Sequence, residues 1–343
     1  MGYWIFFLLL SLQVFAVPGE TLERLQKLYP DQNRNFLIQR LNSASTTFDR
    51  LRDFPPYFYE ASERVLKLPM RKGLCAGDPH YENFGFLYAD VPFFSINDLD
   101  DSAPCNLNAD ALRLLVGHRL IFRDLDIARW VNEYEAGLAR VRKSIPSDLI
   151  EMKAASERNG NDLSSKFQKS WDSRSCLPDL VPATENEIRF LKSQNGNGTL
   201  VFACSRTKTT GGSAGLKRII GFYLAPELQV IEYKPLVTPA PFYAGNLTQA
   251  ERARYFADAV EYFFVGLPGN FSITYNSKLY LRRKLIAGNV PVELKDGKKK
   301  EIAYYEAYTL GRLHRGATSF FSLMDWKNYS DALISVFEQE FAR

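Results

Sequence analysis

Residues 77–85 read Gly77-Asp78-Pro79-His80-Tyr81-Glu82-Asn83-Phe84-Gly85, and residues 97–101 read Asn97-Asp98-Leu99-Asp100-Asp101. Gly77 and Pro79 mark the first stretch as a fixed loop in which Asp78 and Asn83 face one opening. The apolar segment at 86–96 reads as a short β element, so the second acidic cluster leaves a strand end close to the first. Hard cations bind oxygens. Mg²⁺ takes one or two protein ligands and completes its shell with water and phosphate, so Asn83 and Asp98 suffice as metal ligands. Asp78 is then left to accept the proton of an attacking hydroxyl. Taken singly these are ordinary turn residues; taken together on one scaffold they read as a functional site. His80 is expected to pack and hydrogen-bond in the loop, and His118 and His314 offer no second ligand for a zinc site.

Around this centre the chain changes character. From 21 to 143 it reads as helices, with apolar spacing of three and four at 107–120 and 127–141. Residues 144–198 are more polar and read as a partly helical connector with turns. Strands are expected at 199–205, 216–224 and 228–234, and the turn residues between them make the three an antiparallel meander. Thr248-x-x-Glu251 is a capping box ahead of a helix at 255–265. Further strands are expected at 278–285 and 290–294, and closing helices at 302–315 and 330–341, with Lys298-Lys299-Lys300 at a hairpin tip. The class is therefore α+β. Between the first two meander strands lies Gly211-Gly212-Ser213-Ala214-Gly215, a loop whose backbone N–H groups can approach phosphate oxygens. Lys234 closes the third strand as a cation for phosphate, with Asp258 and Glu261 on the next helix as its expected partners.

The 43 basic and 39 acidic residues nearly cancel, and no basic stripe interleaves with aromatics, so nucleic acid is not an expected partner. A chain of 343 residues that is 46% hydrophobic has enough apolar surface for two lobes with real cores. Residues 4–12 are almost wholly apolar and Val14-Phe15-Ala16 follows, so residues 1–16 read as a signal peptide and the protein as periplasmic or secreted, although no Lys or Arg precedes the apolar run. That run is too short to span a bilayer, and no later segment is long enough. Cys75, Cys105, Cys176 and Cys204 form no C-x-x-C pair; they are either buried thiols or two disulfides, with three pairings open.

Together these motifs resemble the mainly bacterial family catalogued as domain of unknown function 2252, thought to be related to protein-kinase-like and aminoglycoside-phosphotransferase-like proteins. The resemblance rests on Gly77-Asp78-x-His80-x-x-Asn83-Phe84-Gly85, on Asn97-Asp98-Leu99-Asp100-Asp101, on Asp110 with Arg113-Leu114, and on Gly212-Ser213-x-Gly215 with Lys234. Where the family shows Phe-Arg-Gly, this chain has Phe58-Tyr59-Glu60. The resemblance implies Asp78 as catalytic base, Asn83 and Asp98 as metal ligands, and His80 and Asp110 as structural support. It implies phosphate contacts from Gly212, Ser213, Gly215 and Lys234. Because the acidic centre precedes the glycine loop, it also implies a circularly permuted two-lobed kinase-like fold. The helical lobe with the acidic centre would span 17–150, the connector 151–198, the nucleotide-binding-like strand lobe 199–296, and 297–343 would complete the helical lobe. Gly311-Arg312-Leu313-His314 resembles the Leu-x-x-Leu-His helix of the phosphotransferases, with His314 structural. The expected activity is Mg²⁺-dependent transfer from ATP or another nucleotide to an unknown acceptor. The alternatives are a ligand-binding envelope protein without turnover and a metal-dependent hydrolase.

Overall fold

Residues 199–235 fold into three long strands because apolar and charged side chains share the two faces of each, and turn residues separate them. A computed structural model describes residues 19–30, 32–194, 198–208, 214–243, 245, 247–263, 271–314 and 321–341. The expected signal peptide, Gly212 and Ser213 lie outside the described residues.

The chain opens with helices α1 (Gly19–Leu28), α2 (Arg34–Ser43), α3 (Thr47–Asp53) and α4 (Pro55–Val65). Strand β1 (Lys72–Cys75) leads into the acidic loop, which contains one turn of 3-10 helix at Tyr81–Asn83. The hairpin β2 (Phe84–Tyr88) and β3 (Pro92–Ile96) follows, then β4 (Ala103–Asn106), which pairs back with β1. Helices α5 (Leu107–Ile121) and α6 (Ile127–Leu138) come next. The polar connector holds α7 (Ser147–Asn159), α8 (Ser165–Ser173), the short β5 (Val181–Pro182) and α9 (Glu185–Lys192). Then come β6 (Thr199–Thr207), β7 (Lys217–Ala225), β8 (Glu227–Pro235), α10 (Gln249–Phe263), β9 (Phe271–Tyr275), β10 (Lys278–Lys284), β11 (Val290–Pro291), α11 (Lys300–Leu313) and α12 (Leu323–Glu340).

Six strands form one antiparallel sheet in the order β5-β6-β7-β8-β10-β9. One face is apolar: Ile219, Tyr223, Ile231, Tyr233 and Tyr280 pack under Phe190 and Leu191 of α9. The other face splits along the strands. At one end Cys204, Ile220, Phe222 and Val230 pack with Phe167 and Trp171 of α8. At the other end Arg206, Arg218, Glu232, Lys234 and Arg283 share the face, as the pairs Arg206↔Arg218 and Glu232↔Arg283 require. A charged sheet end of this kind needs a charged partner, and it meets the acidic loop.

The larger core belongs to the helices, and α11 and α12 return to pack on α6 and α5. The α6–α11 crossing is close because both helices present glycine: a Cβ on Gly311 would lie 2.1 Å from the Tyr134 carbonyl oxygen, and one on Gly137 would lie 2.1 Å from that of Tyr308. The Thr248–Glu251 capping box is present, each backbone N–H bonded to the other's side chain.

Three expectations need correction. Lys300 begins α11 and Leu294–Asp296 is a 3-10 turn, so the lysine run is no hairpin tip. Strand β11 covers only two residues because it pairs only with Val290↔Phe86 and Pro291↔Gly85. Strands β1, β4, β5 and β9 were not anticipated. No helix among the described residues is long and apolar enough to cross a membrane.

Candidate functional site

The β2–β3 register, with Phe84 opposite Ile96, sets the two ends of the hairpin side by side and so brings Asn83 to Asp98. The Asn83 side-chain amide donates to the carbonyl oxygens of Asp78 at 2.9 Å and Asp98 at 3.4 Å. Its nitrogen thus ties the two acidic segments together, and its oxygen is the end left for a cation. Gly77 makes the loop tight: its φ is +85°, and a Cβ there would lie 1.9 Å from the Asp101 carbonyl oxygen.

Asp110 holds the loop from below. Helix α5 is buried nearly all round, so Asp110 and Arg113, three residues apart, both project into the loop side. One Asp110 oxygen accepts from the Tyr59 hydroxyl at 2.7 Å and Gly77 N–H at 3.0 Å, the other from Ala76 N–H at 2.9 Å and His314 Nε2 at 2.8 Å. The Tyr134 hydroxyl lies 2.7 Å from His314 Nδ1, which fixes the ring with its Nε2 proton toward Asp110. Burial alone would raise the Asp110 carboxyl, but His314, Tyr59 and Ala76 outweigh it and hold it below the ordinary range.

Asp78 is gripped by Arg113, whose Nε and Nη2 both donate to one carboxylate oxygen, the former at 3.1 Å. The other oxygen lies 3.7 Å from His80 Nε2. Burial pushes Asp78 up to about 8, with Asp101 and Asp100 adding to the rise and Arg113 opposing it. Burial, Arg113 and Arg52 drive His80 well below its usual range, so the ring is neutral, and its Nδ1 is buried without a hydrogen-bond partner.

Lys234 crosses from the sheet to the loop. Its Nζ sits 2.5 Å from Asp98 Oδ2 and 2.7 Å from Asp100 Oδ2. Burial would raise Asp98, but Lys234 and Arg283 pull it well below the ordinary carboxylate range. Burial and the charge of Asp98 push Asp100 up to about 7, so of the two it is Asp100 that takes a proton first. Asp98 Oδ1 is buried and has no hydrogen-bond partner. Asp101 accepts from Ala240 N–H at 2.8 Å, a second link between loop and sheet. The expected partners on α10 are not used: Asp258 and Glu261 are exposed.

The structure thus gathers Asp78, His80, Asn83, Asp98, Asp110 and Lys234 in one largely buried network of ion pairs and hydrogen bonds. Gly215 is placed apart from this group, at the base of the β6–β7 loop, where its N–H donates to the Lys208 carbonyl at 2.8 Å and its φ is +83°. Sequence reasoning did not single out Arg113 as the partner of Asp78 or Asp100 as a partner of Lys234. Among the described residues no three His, Cys, Asp or Glu side chains converge as a metal cage, so a cation at Asn83 and Asp98 would draw its remaining oxygens from substrate and water. The orphaned Asp98 oxygen fits that role.

Disulfides join Cys75 to Cys105 and Cys176 to Cys204. The first bridges β1 and β4 at the root of the acidic loop, and the second ties the segment after α8 to β6.

Fold and site together define an α+β protein in which an acidic loop meets the charged end of a six-stranded sheet. Residues 66–194 match the model of the family described as an uncharacterized protein conserved in bacteria, domain of unknown function 2252. The matched segment contains the whole acidic loop, Asp110 and Arg113 and ends before β6. No curated protein and no solved structure matches the chain.

Proposed function

We propose that the chain is a Mg²⁺-dependent phosphotransferase built on a circularly permuted kinase-like fold. The observation that carries this reading is Lys234, which reaches from the sheet to Asp98 and Asp100 across a separation of 136 residues and so joins a phosphate-type cation to an acidic, oxygen-rich loop. Asp78 takes the proton of an acceptor hydroxyl as that oxygen attacks the terminal phosphorus of the donor and the bond to the bridging oxygen breaks. Burial raises the Asp78 carboxyl toward the range where it exchanges a proton near neutral pH, and it acts as base in the ionised form that Arg113 favours. Arg113 orients it. Asn83 and Asp98 would hold Mg²⁺, which when bound neutralises charge on the phosphoryl oxygens. Lys234 and the glycine loop, with Gly212, Ser213 and Gly215, would contact donor phosphates. Asp110 and His314 keep the loop in place. The two disulfides favour an oxidising compartment and hence export.

The test is calorimetric binding of Mg²⁺–ATP to the protein and to Asp98→Asn, followed by an acceptor screen with Asp78→Asn. Binding that needs both Mg²⁺ and Asp98, with transfer abolished by Asp78→Asn while binding survives, supports the reading. Phosphate or ester release without a nucleotide would point instead to the metal-dependent hydrolase, and nucleotide binding with no turnover in any screen to a ligand-binding protein.

A further inference from the structure

The charged end of the sheet carries more cation than the acidic loop uses. Lys234 is taken up by Asp98 and Asp100. That leaves Arg206, Arg218 and Arg283 gathered on one carboxylate, Glu232. Arg283 Nη2 lies 2.6 Å and Arg218 Nη1 3.2 Å from it, and Arg206 Nη2 lies 3.6 Å away. Arg206 has one other acid within reach, the half-exposed Asp179, and its Nε is buried without a hydrogen-bond partner. Lys208 follows directly on the same strand, where partial desolvation first, and then Arg218, Lys234 and Arg206, push it down to about 8. The cluster is reachable from solvent, since the side chains of Arg206, Arg283 and Asp98 are each about a quarter exposed: 26%, 27% and 26%.

We propose that Arg206, Arg218 and Arg283 form a seat for a chain of consecutive phosphates running away from Asp98. Glu232 and the half-exposed Asp179 pair with these arginines, and a linear polyanion would complement the positive charge gathered there. Planar guanidinium groups on adjacent strands present several N–H donors in a row, which suits successive phosphate oxygens better than a single point charge. Recognition then resides in the phosphate chain, so inorganic polyphosphate serves as well as a nucleoside triphosphate. This rests on the phosphotransferase reading for its chemistry and extends it to the donor: an exported enzyme would not depend on cytoplasmic ATP.

The experiment is titration of the protein with Mg²⁺-tripolyphosphate, Mg²⁺-ATP and Mg²⁺-AMP by calorimetry, repeated with Arg206→Gln, Arg283→Gln and Asp98→Asn, each checked for its thermal transition. Tripolyphosphate and ATP are expected to bind within about tenfold of each other and AMP far more weakly. Either arginine substitution should weaken the first two by roughly tenfold, the loss of about one charge-assisted hydrogen bond. If ATP binds through Mg²⁺ and Asp98 but tripolyphosphate does not, or if the folded arginine variants bind unchanged, the seat is refuted while the phosphotransferase reading stands. If tripolyphosphate binds without Mg²⁺ and regardless of Asp98, the seat stands and that reading fails. Absence of binding by both ligands to folded protein overturns both.

Discussion

Replacing Asp110 with Asn changes one buried atom and tests whether the acidic loop hangs on that carboxylate. The wild-type side chain accepts four hydrogen bonds, two on each oxygen. An Asn oxygen can keep the Tyr59 and Gly77 pair, but its NH₂ then faces Ala76 N–H and His314 Nε2–H. Two bonds to a charged group are lost, at ~1.5–3 kcal/mol each, and two buried donors are left unsatisfied. Relaxation of the loop recovers part of this, so the expected loss is roughly 3–5 kcal/mol by urea denaturation at pH 7. The pH dependence follows from the sign of the shift. Asp110 is held below the ordinary range when folded. Its contribution is therefore complete above the unfolded value of about 3.9 and is lost as pH falls through the folded value. The gap between wild type and variant should be constant above about pH 5 and should narrow in acid. A loss under about 1 kcal/mol at pH 7, or a gap that widens on acidification, would refute the reasoning.

Substitutions at two further positions probe the frame that delivers His314. Glu306 is fully buried beside His118, whose Nδ1 accepts from Trp130 at 2.9 Å, so its Nε2 proton points at Glu306 Oε2, 2.7 Å away. Burial holds Glu306 well above the ordinary carboxyl range, so its folded pKa exceeds the unfolded one and stability falls as pH rises above about 4.3. Glu306→Gln keeps the acceptor without the charge and should match or exceed wild type at pH 8, whereas Glu306→Leu strands His118 and should cost about 1–3 kcal/mol; a Gln variant weaker than Leu in thermal melts would contradict this. Gly311→Ala should destabilise by about 2 kcal/mol or more despite the better helix propensity of Ala, because the new Cβ would meet backbone, which cannot swing aside. Measured stability equal to wild type would mean that the α6–α11 crossing is looser than the structure places it.

The meander and the long helices were legible because their patterns are local. Thr199–Thr207, Lys217–Ala225 and Glu227–Pro235 differ from the sequence reading by one or two residues at each end. Strands β1 and β4 were not, since four residues such as Lys72–Cys75, with a glycine among them, carry no periodicity and form only because each finds the other. The acidic site was legible as a set of residue types, and the hairpin between Asn83 and Asp98 explains why spacing along the chain served as a guide to distance. Its partners were not. Arg113 is 35 residues from Asp78, and its signal lay only in the Arg-Leu pair after Asp110. Lys234 was assigned partners on the next helix by proximity in sequence, but Asp258 and Glu261 face outward there.

What the sequence keeps close, the chain also fixes covalently. The Cys75–Cys105 bridge closes a loop with a separation of 30 residues that contains the whole acidic segment, and Cys176–Cys204, with a separation of 28, ties the connector to β6 two residues before Arg206. By loop entropy each is worth roughly 3–4 kcal/mol. The acidic loop and the sheet are thus each stapled within themselves. The two share part of the apolar core and also meet through polar contacts: Lys234 with Asp98, and Ala240 with Asp101, at separations of 136 and 139 residues. These depend on charge balance, and Asp98 retains an oxygen with no partner inside the joint. Under the proposed phosphotransferase reading, a cation and a phosphate chain entering there would compete for Lys234 and for Asp98 at once, so ligand binding and the contact of loop with sheet would draw on the same few groups. On that reading, binding energy spent at this joint is what would position the reacting groups at Asp78.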